Sequence, residues 1–457
     1  MQRPRPLRAR PQRSFLSALL GACTLYPITF SWVQLAGKYG GGTADPENAP
    51  TVSGSCPSCS LHPYHHDGTL VWHRPIPDRV IPAGWEDDWM LRWKAEQFDS
   101  NSTRVPRCVM DEGPGNPYDD GVLCEMPGYI PARIVDGKKH KIPRVIFLSW
   151  FTRKIGRAMF TSIMSLVTIN PEYEVILFVD DDVDRFVCES VGEDFALPLF
   201  SRVRRAAGAM RIDIWRLLVM QKYGGVYLDS DLSALAKLPI EEGDTAVSGV
   251  CGFGYLPADD AGETKIGGAL EHWSMCFSRG HPFINKAVEH LKRNLREPEY
   301  LMRNDTPEAK VEDSFTMRLT GPAMYQSALI EILNEAKCKE EVQEDGDEGG
   351  RNYADALKEP EKSCEDMATF REWFPEGLRL FDWLNLNQTV THKVFYPGGS
   401  WLKETEDFHG YSRYDNDSPS EYVEAPDLSF CDADSMTKRR YERQEAWAEA
   451  VKHKANQ

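Results

Sequence analysis

The chain has 457 residues, a formal net charge of −17, 41% hydrophobic residues and 11% aromatic ones. That length and apolar content allow a large core that needs neither metal nor disulfide to hold it. The acidic balance excludes general nucleic-acid binding, which requires a basic stripe, and by itself names no partner.

Five arginines (Arg3, Arg5, Arg8, Arg10 and Arg13) precede an uncharged run from Ser14 to Gly37. The run is long enough to cross a bilayer as a helix. Its basic flank favours a cytoplasmic N-terminus, so the rest of the chain is expected in the lumen. This gives a cytoplasmic tail over 1–13 and a transmembrane signal anchor over 14–37. The expected location is the Golgi or ER membrane, as a single-pass type II protein. Small residues after Leu35 keep a cleaved signal peptide open as the alternative. Eleven cysteines, one of them (Cys23) inside the apolar run, agree with an oxidising compartment. Cys56-Pro57-Ser58-Cys59 has zinc-site spacing, but no second such pair follows it. Acceptor sequons stand at Asn101, Asn304, Asn387 and Asn416.

Residues 38–140 are rich in Gly, Pro, Ser and Asp and read as a lumenal stem, partly stapled by disulfides. Its prolines forbid long helices. The one helical candidate is Glu86 to Phe98, where Trp85, Trp89 and Trp93 recur at helical spacing. Packing against the main domain explains that stripe better than a carbohydrate platform does.

Regular structure begins at Ile142-Pro143. Val145 to Leu148 and Val175 to Val179 are short apolar runs of the buried-strand kind. A helix from Phe160 to Ile169 separates them and stops at Asn170-Pro171; another begins near Asp184. That alternation predicts an α/β fold with a mostly parallel sheet covered by helices. Met210, Ile214, Leu217 and Leu218 lie at helical spacing, and Tyr223-Gly224-Gly225 ends that helix, glycine being able to take the left-handed cap conformation. A third strand, Val226 to Leu228, leads into Asp229-Ser230-Asp231. Further on, Ala246 to Val250 reads as a strand, and Pro282 to Leu295 and Pro322 to Leu333 as helices. The acidic loop over 337–363 is bracketed by Cys338 and Cys364, which the bracketing predicts to be paired. The charged tail over 431–457 has a helical candidate from Thr437 and no chemistry of its own.

Asp229 and Asp231 are one residue apart at a strand end, where open α/β sheets bind ligands. Together they can share one hard divalent cation, Mn²⁺ or Mg²⁺, directly or through water. Such an ion stabilises charge growing on a diphosphate leaving group. An isolated D-x-D is more often a polar turn; the Tyr-Gly-Gly-Val-Tyr-Leu before it favours function here. Asp213 and Arg216 share a helix face. The bland reading is an ion pair; the functional one is a carboxylate for sugar hydroxyls and a guanidinium for phosphate.

The block from Arg211 through Asp213 and Arg216 to Lys222-Tyr223-Gly224-Gly225-Val226-Tyr227-Leu228-Asp229-Ser230-Asp231 closely resembles that of glycosyltransferase family 32. Ile142-Pro143-Arg144-Val145-Ile146 with Trp150 resembles the family's opening. Gly280-His281-Pro282-Phe283 and Thr320-Gly321-Pro322 resemble its later signatures. The resemblance implies a GT-A type nucleotide-sugar-binding fold over 141–430 and transfer with retention of anomeric configuration. Asp229 and Asp231 would engage metal and diphosphate, and Asp213, Arg216 and Tyr227 the nucleotide sugar. Family frequency favours mannose from GDP-mannose, with UDP-sugars as alternatives, moved to a glycan, glycoprotein or glycolipid acceptor. Phe147 departs from the family, which often has His there. Phe408-His409-Gly410-Tyr411-Ser412 matches a C-terminal motif only loosely, so His409 is a metal-ligand candidate against a packed or surface histidine. A catalytically silent lumenal glycan-binding or scaffold protein on the same fold is the competing class.

Overall fold

The computed structural model describes residues 88–99, 106–110, 121–203, 208–251, 269–298, 315–338, 359–382, 391–393 and 426–442, with 357 and 445 and without 136 and 235. The expected anchor over 14–37, all four sequons and His409 lie outside the described residues. Among the described residues, no helix is long and apolar enough to cross a membrane.

The centre is a seven-stranded sheet of β3 (Tyr129–Ile130), β4 (Val145–Ser149), β6 (Glu174–Phe178), β7 (Gly225–Leu228), β9 (Ala246–Cys251), β10 (Ala269–Phe277) and β11 (Arg379–Asp382). Their spatial order is β11-β9-β10-β7-β4-β6-β3. β1 (Arg107–Met110), β2 (Val122–Glu125) and β5 (Lys154–Gly156) form a small separate sheet, and β8 (Leu232–Ala234) pairs with β12 (Thr391–Lys393). β4, β6 and β7 are parallel, as their continuous apolar runs require for strands buried on both faces. β10 runs against both β7 and β9, and β3 runs against β6. β9 pairs in parallel with β11, and both run the same way as β4, β6 and β7, so the sheet is mostly parallel as expected, with β3 and β10 reversed; Glu271 and His272 interrupt the apolar run of β10.

Six helices position the site or support it: α1 (Trp89–Asp99), α2 (Arg157–Ile169), α3 (Asp180–Arg185), α4 (Gly208–Tyr223), α5 (Pro282–Arg296) and α6 (Pro322–Glu335). Five of them match the sequence reading to within a few residues. α3 differs. It begins at Asp180, not near Asp184, because its three aspartates occupy the first turn, where carboxylates complement the helix dipole. Asp182 Oδ2 also reaches back to accept the Val179 N–H at 3.1 Å.

α1 is part of the core. Trp89, Met90 and Trp93 are buried against Phe178 and Phe186. The Trp93 indole donates to Asp182 at 2.8 Å and the Trp89 indole to Glu189 at 2.7 Å. Trp89 and Trp93 are thus packing, with both N–H groups satisfied, and Trp85 lies outside the described residues.

Cys338 and Cys364 are bonded, as their bracketing of the acidic loop predicts. Cys108–Cys124 and Cys188–Cys431 are bonded as well.

His281 precedes α5, and its Nδ1 accepts the Phe283 N–H at 3.2 Å, so the neutral ring caps the helix. Burial pushes its pKa down from 6.5 to about 3. The folded state therefore holds fewer protons on this group than the unfolded state below pH 6.5. Its contribution to stability is full above that value and is lost as pH falls toward 3, at about 1.4 kcal/mol per unit. Urea unfolding across that window should show a steeper acid loss in the parent than in His281→Asn, which keeps a cap without titrating. Parallel pH profiles for the two proteins would refute this.

Candidate active site

Two glycines let the helix–strand junction before the site close tightly. Gly224 ends α4 at φ 64°, its N–H donating to Met220 O at 2.9 Å. Gly225 opens β7 at φ 102°, and a Cβ there would meet Val145 Cγ1 at 2.6 Å. α4 therefore turns directly into β7 beside β4, and the side chains of both elements reach one place.

Asp229 follows β7 at the carboxyl end of the parallel strands. The turn is pinned on two sides. The Ser230 hydroxyl donates to Ser149 O, at the end of β4, at 2.8 Å. The Asp229 N–H donates to Trp273 O of β10 at 3.0 Å.

The structure brings Asp213, Arg216, Tyr227 and Asp229 together. Arg216 Nη2 lies 3.2 Å from Asp213 Oδ1 and 3.5 Å from Asp229 Oδ1. Its guanidinium covers the Tyr227 ring at 4.5 Å, and the Tyr227 hydroxyl donates to Asp229 Oδ1 at 2.8 Å. The Asp229 side chain is 24% exposed against 11% for Asp213 and 10% for Arg216, so Asp229 is the outermost of the three. Asp231 is half-buried in the same turn. Burial works against the Arg216 charge, yet Tyr227, Asp213, Asp229 and Asp231 outweigh it and hold the pKa above the ordinary arginine value. Asp213 behaves differently. Burial, helped by Asp229, pushes its pKa up to about 7 against the opposing pull of Arg216 and Thr320.

Two neighbours of Asp213 gain their places at the site only through the fold. The Thr320 hydroxyl donates to Asp213 Oδ2 at 3.1 Å. His272 of β10 presents its Nδ1 3.5 Å from Asp213 Oδ1, and its carbonyl accepts from Arg216 Nη1 at 2.8 Å. Thr320 is visible in the Thr-Gly-Pro signature. His272 reaches the site only because β10 returns antiparallel to β7, with Ser274 opposite Leu228; no local spacing carries that information.

The donor set suits a hard cation: Asp229 and Asp231 are carboxylates on one turn. Among the described residues, no group of three or more His, Cys, Asp or Glu is placed to hold a metal. An ion here would draw most of its ligands from water and diphosphate oxygens, as magnesium sites with one or two carboxylates do.

Residues 157–247 match the family model described as the glycosyltransferase sugar-binding region containing DXD motif. That stretch is similar to the DXD-type sugar-binding region of glycosyltransferase family 32. The whole Asp213 to Asp231 block falls inside it. Two relatives from Schizosaccharomyces pombe are similar: inositol phosphoceramide mannosyltransferase 3, 25% identical over 166 residues, and inositol phosphoceramide mannosyltransferase 2, 24% identical over 161. The matches cover 35% and 34% of this chain and 40% of each relative. A solved structure, the PaToxG Glycosyltransferase, is 17% identical and aligns over 51% of this chain and 84% of its own at a TM-score of 0.30. The mixed, helix-covered sheet with its DXD turn at the carboxyl end of β7 fits a GT-A-like architecture.

Proposed function

We propose that this protein is a retaining glycosyltransferase that moves a hexose, mannose first, from a nucleotide diphosphate sugar to a glycan or glycolipid acceptor. The observation that carries this is the convergence of Asp213, Arg216 and Asp229 at the carboxyl end of β7. Mannose is favoured because both relatives are named as mannosyltransferases. Asp229 and Asp231 would hold a manganese or magnesium ion, which supplies Lewis-acid stabilisation of the diphosphate leaving group. Arg216, kept charged by its carboxylate neighbours, adds a fixed positive charge facing the same group. Asp213 orients the sugar by accepting its hydroxyls. The acceptor hydroxyl attacks the anomeric carbon beside the departing diphosphate, and a diphosphate oxygen takes its proton, so that positioning carries the step. His409 remains a candidate further ligand. The disulfides and the arginine-flanked run support a lumenal, membrane-anchored setting in the Golgi or ER.

Released-nucleotide measurements with manganese and a panel of GDP-mannose, UDP-galactose and UDP-N-acetylglucosamine test the proposal. GDP release from GDP-mannose above the UDP-sugars is expected. Preferred release from a UDP-sugar would overturn the donor assignment, and binding of glycans with no release from any donor would favour the silent scaffold.

A further inference from the structure

Asp213 is approached from three elements at once. Arg216 approaches Oδ1 from the next turn of α4, Thr320 donates to Oδ2 from the segment before α6, and His272 faces Oδ1 from β10. The His272 ring is enclosed and packs on the Tyr325 ring at 5.0 Å between centroids. Among the described residues, neither of its ring nitrogens makes a hydrogen bond. An enclosed imidazole N–H without an acceptor is destabilising. An apolar side chain would avoid that cost, so packing alone gives no reason for a histidine. The Nδ1 to Oδ1 distance of 3.5 Å is beyond a hydrogen bond, and active-site contacts that are long without substrate often tighten once it is bound.

We infer that His272 and Thr320 are positioning residues: they fix the carboxylate of Asp213 so that it can accept a hydroxyl of the donor sugar. The inference rests on the glycosyltransferase reading above and deepens it. Thr320 holds Oδ2 in the resting site. His272 closes on Oδ1 when the sugar draws Asp213 outward. The same stretch of β10 steadies Arg216 through the His272 carbonyl, so sugar-facing and diphosphate-facing groups share one support. Nucleotide alone makes no demand on Asp213. Loss of either positioning residue should therefore weaken use of the sugar and leave nucleotide binding intact.

The experiment uses the full chain with manganese, GDP-mannose as donor and GDP as the sugar-free probe. Thr320→Val and His272→Leu should each raise the donor KM and lower kcat/KM about tenfold, the effect of about 1.4 kcal/mol. GDP affinity and melting temperature should stay near the parent's. Thr320→Ser should restore the parent KM, and His272→Asn should restore part of it. In an Asp213→Asn background, both substitutions should add little, because they act through that carboxylate. Parent-like donor KM in both single variants, or a full effect persisting in the Asp213→Asn background, overturns this inference alone. A parent protein that neither binds nor cleaves GDP-mannose, UDP-galactose or UDP-N-acetylglucosamine overturns the glycosyltransferase reading and this inference with it.

Discussion

An Asp229→Asn, Asp231→Asn double variant should transfer sugar at least about a hundredfold more slowly than the parent, the scale of losing a main electrostatic stabiliser of the transition state. It should nevertheless unfold near the parent temperature. The two halves of that expectation have separate causes. Asp229 is the outermost of the three converging side chains, and an Asn oxygen there can still accept the Tyr227 hydroxyl. Arg216 keeps Asp213 as a partner at 3.2 Å, so no buried charge is stranded. What the variant loses is negative charge facing the ion and the diphosphate. Manganese dependence should flatten along with the rate. Transfer at the parent rate with the parent's manganese response would remove the turn from the chemistry.

Much of this arrangement is legible in the chain, for physical reasons that differ by element. β4, β6 and β7 are buried on both faces, so each is a continuous apolar run bounded by Pro, Gly or Asp. α4 can be read to its end because Gly224 takes the left-handed conformation that stops it. Asp213 to Asp231 is a local block, and local blocks survive in sequence as motifs. β10 is another matter. It is the longest strand among the described residues, yet Glu271, His272 and Ser274 break its apolar pattern, and its register shifts between Leu270 and Met275. The residues that break the pattern include the one that faces Asp213. Pairing across the sheet, absent from any local window, is what makes them informative.

The charged C-terminal segment is illegible for the same reason, and it carries the largest stability effect expected away from the active site. Arg439 reads as one charge among many, but it is completely buried. Its Nε donates to Asp184 Oδ2 at 3.0 Å, and Arg211 pairs with Oδ1 of the same carboxylate. Both guanidinium groups lie over the Phe430 ring, next to the bond between Cys188 and Cys431. One buried aspartate thus balances two buried arginines, Arg211 and Arg439, from segments far apart in the chain. Asp184→Ala leaves both charges without that partner. Breaking a buried pair in this way costs about 3–5 kcal/mol, whereas removing either arginine leaves the other still paired. Denaturant unfolding should therefore rank Asp184→Ala well below Arg211→Met and Arg439→Met. Replacing all three by apolar residues of similar volume should recover most of the loss, since paired burial gains little over good packing. If Asp184→Ala lies within about 1 kcal/mol of the parent, the triad is not what holds the C-terminal segment in place, and the disulfide with Phe430 packing must suffice.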